Sequence, residues 1–170
     1  MKALIINMLI LNFLVACNKK DDNFDPINPD VKKFVELVKK DKYDLAYLPN
    51  FVPNDIPTLL KYADDFSVIS KFPVNPISSI YPERLTVGEC LLWTIESIRL
   101  KYDVDDNMHK FPSLVPQLIE KENTNKPFLD DNQLIEVYIL YKDWWYNNIG
   151  KDFELTREIN PLEDSMYLWK

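Results

Sequence analysis

The chain has 170 residues, with 27 acidic against 20 basic side chains and a net charge of −7 near neutrality. That balance leaves no basic stripe for nucleic acid and sets the surface against anionic lipid and acidic polysaccharide. Only two glycines accompany an aromatic content of 13%, which argues against a turn-rich β-sandwich with its recurring positive-φ positions.

Residues 1–16 read as an export signal. Lys2 gives a positive start, Ala3 to Ala16 form an apolar run broken only by Asn7 and Asn12, and small Ala16 precedes Cys17. The run is shorter than the about 20 apolar residues of a spanning helix. The chain then turns polar at once, with Asn18-Lys19-Lys20-Asp21-Asp22-Asn23. Leu14-Val15-Ala16-Cys17 resembles the lipobox of bacterial lipoproteins. The resemblance implies cleavage before Cys17, diacylglycerol on its sulfur and an acyl chain on its amine, and two or three chains anchor stably where one is marginal. An ordinary secretory signal with a chance cysteine is the alternative. Lys19 to Asp22 is similar to the signal that sends Bacteroidetes-type lipoproteins to the outer face of the outer membrane, although a solvated tether uses the same residue types. The expected address is the outer membrane, lipid-anchored through Cys17 and facing the cell surface. Cleavage removes one Lys and no acid, so the net charge moves from −7 to −8. With Cys17 lipidated, Cys90 has no cysteine to pair with, and the core must hold by packing.

Three parts follow: the signal at 1–16, a polar tether at 17–29 broken by Asp25-Pro26 and Asn28-Pro29, and a single helical domain at 30–170. Asp30 is the expected N-cap of a first helix with Val31, Phe34, Val35, Leu37 and Val38 on one face. A second helix starts at Asn54 or Asp55, where Pro57 is tolerated in the first turn, and buries Ile56, Leu59, Leu60 and Ala63. Phe66 to Ser70 alternates weakly, as a short extended piece would. Pro73, Pro76 and Pro82 make residues 71–85 irregular, and Phe72, Val74, Ile77, Ile80 and Tyr81 suggest a loop packed down onto the domain.

Thr86 is expected to cap a helix to about Tyr102, with Val87, Leu91, Ile95, Ile98 and Tyr102 as its core line. Ser113 to Glu122 is expected to form a brief helix. Asp131 to Ile149 reads as the longest and central helix, with Gly150 at C′; of its adjacent Trp144 and Trp145, about 100° apart, one should be only partly buried. Ile159, Leu162, Met166, Tyr167, Leu168 and Trp169 make the tail too apolar to hang loose. These elements predict an all-α fold: a compact helical bundle or a short HEAT-like α-α superhelix with long proline-rich connections.

Few residues suggest chemistry. His109 is the only histidine, and no His-x-x-x-His or Glu-x-x-His pattern suggests a metal site. Asp103-Val104-Asp105-Asp106-Asn107 has the carboxylate density of a calcium loop, but Met108 and Leu114 stand where an EF-hand needs Gly and Glu. Cys90 and His109 form a conceivable thiol pair, yet Leu91, Leu92 and Trp93 describe an apolar setting that keeps a thiol inert. Glu96 and Glu136 sit in apolar helical contexts and would do acid–base work if they shared a cavity. The simpler expectation pairs Glu96 with Arg99 at i+3 and leaves Glu136 on an exposed face. No phosphate loop, nucleophile elbow or dinucleotide fingerprint occurs, so no cofactor and no catalytic residue is assigned.

Phe72, Tyr81, Trp93, Trp144, Trp145 and Trp169 are a conceivable stacking platform, although aromatics at helical spacing usually belong to a core. Asn75, Ser78, Ser79 and Tyr81, near the expected N-terminus of the Thr86 helix, are the candidate site for a ligand or partner. Prolines limit the freedom lost on binding there, and helix N–H groups suit an anion.

Asp55 to Ala63, Phe72 to Ser79 and Gly88 to Glu96 together resemble an uncharacterised lipoprotein family of gut Bacteroidetes, over most of residues 30–150. The resemblance carries no activity and transfers no catalytic residue. The function expected is a non-enzymatic binding or accessory module of the cell envelope, taking an envelope protein or a peptide or glycan ligand. A hydrolase using Glu96 and Glu136, or a structural subunit of an outer-membrane complex, are the alternatives.

Overall fold

A computed structural model describes residues 24–100, 111–125 and 128–170. The signal, Cys17, Lys19 to Asp22, the Asp103–Asn107 loop and His109 lie outside the described residues.

Helix α1 (Val31–Lys39) starts at Asp30, whose carboxylate accepts the Lys33 N–H at 2.8 Å. It buries Val31, Phe34, Val35 and Val38. Its end is a Schellman motif: Asp41 N–H bonds the Val38 carbonyl at 3.0 Å and Lys42 N–H the Leu37 carbonyl at 2.8 Å. Asp41 holds the left-handed position, φ 54°, where a side chain costs roughly 1–2 kcal/mol. Its carboxylate offsets that cost by accepting the Ser70 N–H at 2.7 Å and the Lys71 N–H at 3.3 Å. Those bonds, Ser70 first, hold the carboxyl below its ordinary pKa, and they tie the end of α1 to a distant loop. Ahead of α1, Phe24 packs on Phe34 and Tyr43, and the Asn50 N–H bonds the Pro26 carbonyl. The folded unit therefore takes in residues that the sequence groups with the tether.

A single 3-10 turn, Pro53–Asp55, leads into α2 (Ile56–Leu60), which carries Pro57 in its first turn and buries Ile56, Leu59 and Leu60. Strand β1 (Val68–Ile69) pairs antiparallel with β2 (Leu85–Thr86), so the weak alternation at 66–70 does mark extended chain. Thr86 then caps α3 (Val87–Arg99), accepting the Glu89 N–H at 3.2 Å. Every α3 residue except Ser97 is buried.

That burial makes α3 the central helix, with α1, α2 and α4 (Asp131–Tyr146) packed against it. The sequence suggests the opposite assignment, because α4 is longer and apolar around much of its circumference. Length is not centrality. α4 buries only Leu134, Val137, Tyr141 and Trp144. Trp144 is buried, with its indole N–H on the Thr156 carbonyl, and Trp145 is half-buried. α4 stops at Tyr146, so Gly150, at φ 82°, shapes the turn beyond the helix rather than occupying C′. A short α5 (Phe153–Thr156) follows, capped by Asp152.

The expected all-α bundle or HEAT-like superhelix is corrected by a second sheet. Strand β3 (Leu118–Glu120) pairs antiparallel with β4 (Tyr167–Trp169), Leu118 opposite Trp169 and Glu120 opposite Tyr167. The fold is mixed, with five α-helices and two small antiparallel sheets among the described residues. Ser113 to Glu122 is not helical because Pro116 has no N–H to donate and biases Val115 toward extended backbone. A partner strand some fifty residues away then supplies the hydrogen bonds. Strands of two or three residues are too short to print a period on the sequence.

Candidate functional site

The loop Phe72 to Tyr81 is anchored at one end and presented at the other. Phe72 is buried among Phe34, Tyr43 and Trp93. The Asn75 N–H bonds the Leu114 carbonyl at 3.1 Å, its amide Nδ2 reaches the Ser113 carbonyl, and its Oδ1 accepts the Ile77 N–H. The Ser78 hydroxyl donates to the Ile80 carbonyl at 2.9 Å and accepts the Ile80 N–H. The Tyr81 hydroxyl donates to the Ser70 carbonyl at 3.2 Å and accepts the Phe72 N–H. Asn75, Ser78 and Tyr81 thus spend their polar groups shaping the loop, and Ser79 stands exposed.

The loop's outer surface is apolar. Ile77 is 81% exposed and Tyr81 51%, with Ile80 also exposed. Exposed Leu114 belongs to the segment that Asn75 holds. The expectation of a loop packed down onto the domain therefore holds at its ends, where Phe72, Pro73, Pro82 and Leu85 are buried, and fails for Ile77, Ile80 and Tyr81.

The expected anion site at the start of α3 is closed. The Val87 N–H bonds the Ser67 carbonyl at 3.0 Å, the Gly88 N–H bonds the Asp65 carbonyl at 2.7 Å, and the Glu89 N–H is taken by Thr86. The first three donors of the helix are satisfied from within the fold.

Glu89 is a notable group that sequence reasoning missed. Its carboxylate is buried, accepting the Thr86 hydroxyl at 2.8 Å and the Leu118 N–H at 3.3 Å. The Thr86-x-x-Glu89 spacing of a capping box was the available signal, but the link to β3 is purely tertiary. Burial raises the Glu89 carboxyl to about 6, against the pull of its hydrogen bonds and of Arg84. A carboxyl raised on folding stabilises the fold when protonated. That contribution is full below pH 4.5 and is lost as pH rises through about 6. Across that window the group should cost about 2 kcal/mol of stability. Denaturant unfolding at several pH values should show the loss in the wild type and not in Glu89→Gln. Equal pH profiles for the two proteins would contradict it.

Glu96 and Glu136 are engaged separately. Glu96, 3% exposed, accepts from the Arg99 Nε and Nη2 and from the Tyr141 hydroxyl at 2.8 Å. Tyr141 in turn accepts the Trp169 indole N–H at 2.8 Å, and the Arg99 Nη1 reaches the Arg157 carbonyl at 2.7 Å. Burial, with the Glu96 carboxylate beside it, pushes the Tyr141 phenol well above its ordinary value. Glu136 is exposed and accepts the Tyr167 hydroxyl. The i+3 pairing of Glu96 with Arg99 is the one the spacing suggests.

Cys90 is fully buried, and desolvation drives its thiol well above the ordinary value. It should react slowly with thiol reagents in the native protein and quickly in denaturant; fast native labelling would reverse that assignment. Phe24, Leu37, Tyr43 and Lys71 border an open groove of about 500 Å³. Among the described residues no group of three or more His, Cys, Asp or Glu is placed to hold a metal ion.

These features define a small domain of mixed helices and sheets whose buried Glu89, Glu96 and Arg99 are paired or hydrogen-bonded and whose loop at 72–81 presents apolar side chains to solvent. The chain belongs to the family of a domain of unknown function (DUF4943), whose model matches residues 25–170. No curated protein and no solved structure shows significant similarity to it. The match starts beside Phe24, which packs on Phe34 and Tyr43.

Proposed function

We propose that this chain is a Bacteroidetes-type envelope lipoprotein, anchored in the outer membrane through Cys17 and displayed at the cell surface. Its folded domain serves as a non-enzymatic binding or accessory module. The anchor rests on Leu14-Val15-Ala16-Cys17 and the address on Lys19 to Asp22. Support for binding comes chiefly from one observation: a loop in which Asn75, Ser78 and Tyr81 spend their polar groups internally holds Ile77, Ile80 and Tyr81 out to solvent. Exposed apolar clusters of that kind commonly mark contact surfaces. The ligand class it suits is an apolar segment of a protein or peptide rather than an anion.

The anchor is tested by metabolic labelling with a fatty acid. The wild type should incorporate label and Cys17→Ala should not; an unlabelled wild type refutes the lipoprotein reading. Protease treatment of intact cells tests display, since a protected domain places it on the inner side.

A further inference from the structure

The outer face of α4 carries a second apolar line. Ile135, Ile139, Lys142 and Tyr146 follow at spacings of four, three and four, and Ile149 continues the rhythm just past the helix. At about 100° per residue the four helical positions fall within an arc of roughly 60°. The buried line of Leu134, Val137, Tyr141 and Trp144 lies on the opposite side. Ile135 is 43% exposed, Ile139 46% and Tyr146 49%. Alternating four-three spacing is the seam of one helix against another, and among the described residues no second helix covers it.

The charges beside that seam are acidic. Glu136 and Asp143 flank one side, both exposed, and Asp131 on the other side is already paired with Arg84 at 2.8 Å. Lys142 is the one base on the seam, and its ammonium is drawn 5.7 Å from the Tyr138 ring of its own helix. A second copy of α4 is a poor occupant. Antiparallel pairing sets Glu136 near Asp143, and parallel in-register pairing sets Lys142 against its own copy, so like charges meet either way. An anionic lipid surface is disfavoured for the same reason.

We propose that the Ile135–Tyr146 face of α4 docks an amphipathic helix of a partner protein, one whose apolar stripe is bordered by Lys or Arg. Apolar side chains at i, i+4 and i+11 on one face match the seam by which two helices pack side by side. The proposal deepens the binding-module reading by naming a surface and a partner chemistry. Its variants leave Cys17 and the loop at 72–81 unchanged, so fatty-acid labelling distinguishes failure here from failure of the lipoprotein reading.

The test uses the full chain and two synthetic helical peptides of about three heptads, with Leu at the seam and either Lys or Glu at the flanks. Fluorescence anisotropy of labelled peptide should report binding of the Lys peptide and not of the Glu peptide. Ile139→Asp should weaken the Lys peptide at least tenfold even though it adds negative charge, and Asp143→Lys should shift preference toward the Glu peptide. Both sites are exposed, and an unchanged circular dichroism spectrum confirms folding. Absence of binding overturns the proposal. Equal binding by wild type and Ile139→Asp overturns it too, because the peptide would then be following net charge alone. A dimer in sedimentation that Ile139→Asp dissociates, or vesicle binding that it abolishes, would assign the face to a second copy or to lipid and overturn it as well.

Discussion

Arg99→Met should cost about 3–5 kcal/mol of stability, the penalty for leaving a buried carboxylate without its counter-charge. Glu96 is inside the protein, and the Arg99 guanidinium gives it both Nε and Nη2. Removing Arg99 leaves the Tyr141 hydroxyl as the remaining donor among those described above. It also strips the Arg157 carbonyl of the Nη1 bond that ties the end of α5 to α3. Small domains hold roughly 5–15 kcal/mol in total, so the variant should unfold at much lower denaturant or be recovered poorly. Replacing Glu96 with Leu in the same protein should restore part of the loss by removing the unpaired charge, the rest remaining because the buried Tyr141 hydroxyl loses its acceptor and the Arg157 carbonyl its donor. Denaturant unfolding of the wild type, the single variant and the double variant decides the matter. A loss under about 1 kcal/mol for Arg99→Met would show that water reaches Glu96 and that the pair behaves as a surface bridge.

Gly88→Ala should destabilise the domain by about 2–3 kcal/mol, the scale of overpacking in a tight interior. Helix propensity alone predicts the opposite sign, since alanine is favoured over glycine by about 1 kcal/mol inside a helix. A Cβ at Gly88 would stand 2.5 Å from the Ala63 carbonyl oxygen and 3.2 Å from that of Asp65. Both are backbone atoms, so no rotamer change relieves the contact. The Gly88 N–H also donates to the Asp65 carbonyl at 2.7 Å, and that bond must lengthen if the segment retreats. Gly88 is therefore retained for close approach, not for a special φ. Thermal melts of wild type and variant read the sign directly, and a stabilised Gly88→Ala would mean that α3 does not press against residues 63–65.

The helices were legible where a cap and a stripe coincided. Asp30 and Thr86 start α1 and α3 as their spacing to the following apolar residues indicates, and Asp130 starts α4 one residue ahead of the expected first turn. These signals are local, because a cap needs only the backbone two or three residues on. The Glu96–Arg99 pair was legible for the same reason, being one helical turn apart.

Illegible parts were those whose partners are distant in sequence. Leu118 to Glu120 became a strand because Tyr167 to Trp169 met it, and neither segment is long enough to declare a period. At the candidate loop, Asn75, Ser78, Ser79 and Tyr81 were found by residue type, but only the fold shows three of them turned to internal use.

Side-chain chemistry over a few neighbouring residues was enough to place the Asp30 and Thr86 caps and much of the buried face of α1 and α4. Tertiary structure alone decided which helix is central, the sealing of the α3 N-terminus by residues 65–67, the depth of Glu89 and the exposure of Ile135, Ile139 and Tyr146. Each of those depends on what another segment covers. An apolar residue carries the same hydrophobic driving force wherever it sits, and the order in which helices stack decides which apolar faces are left without a neighbour.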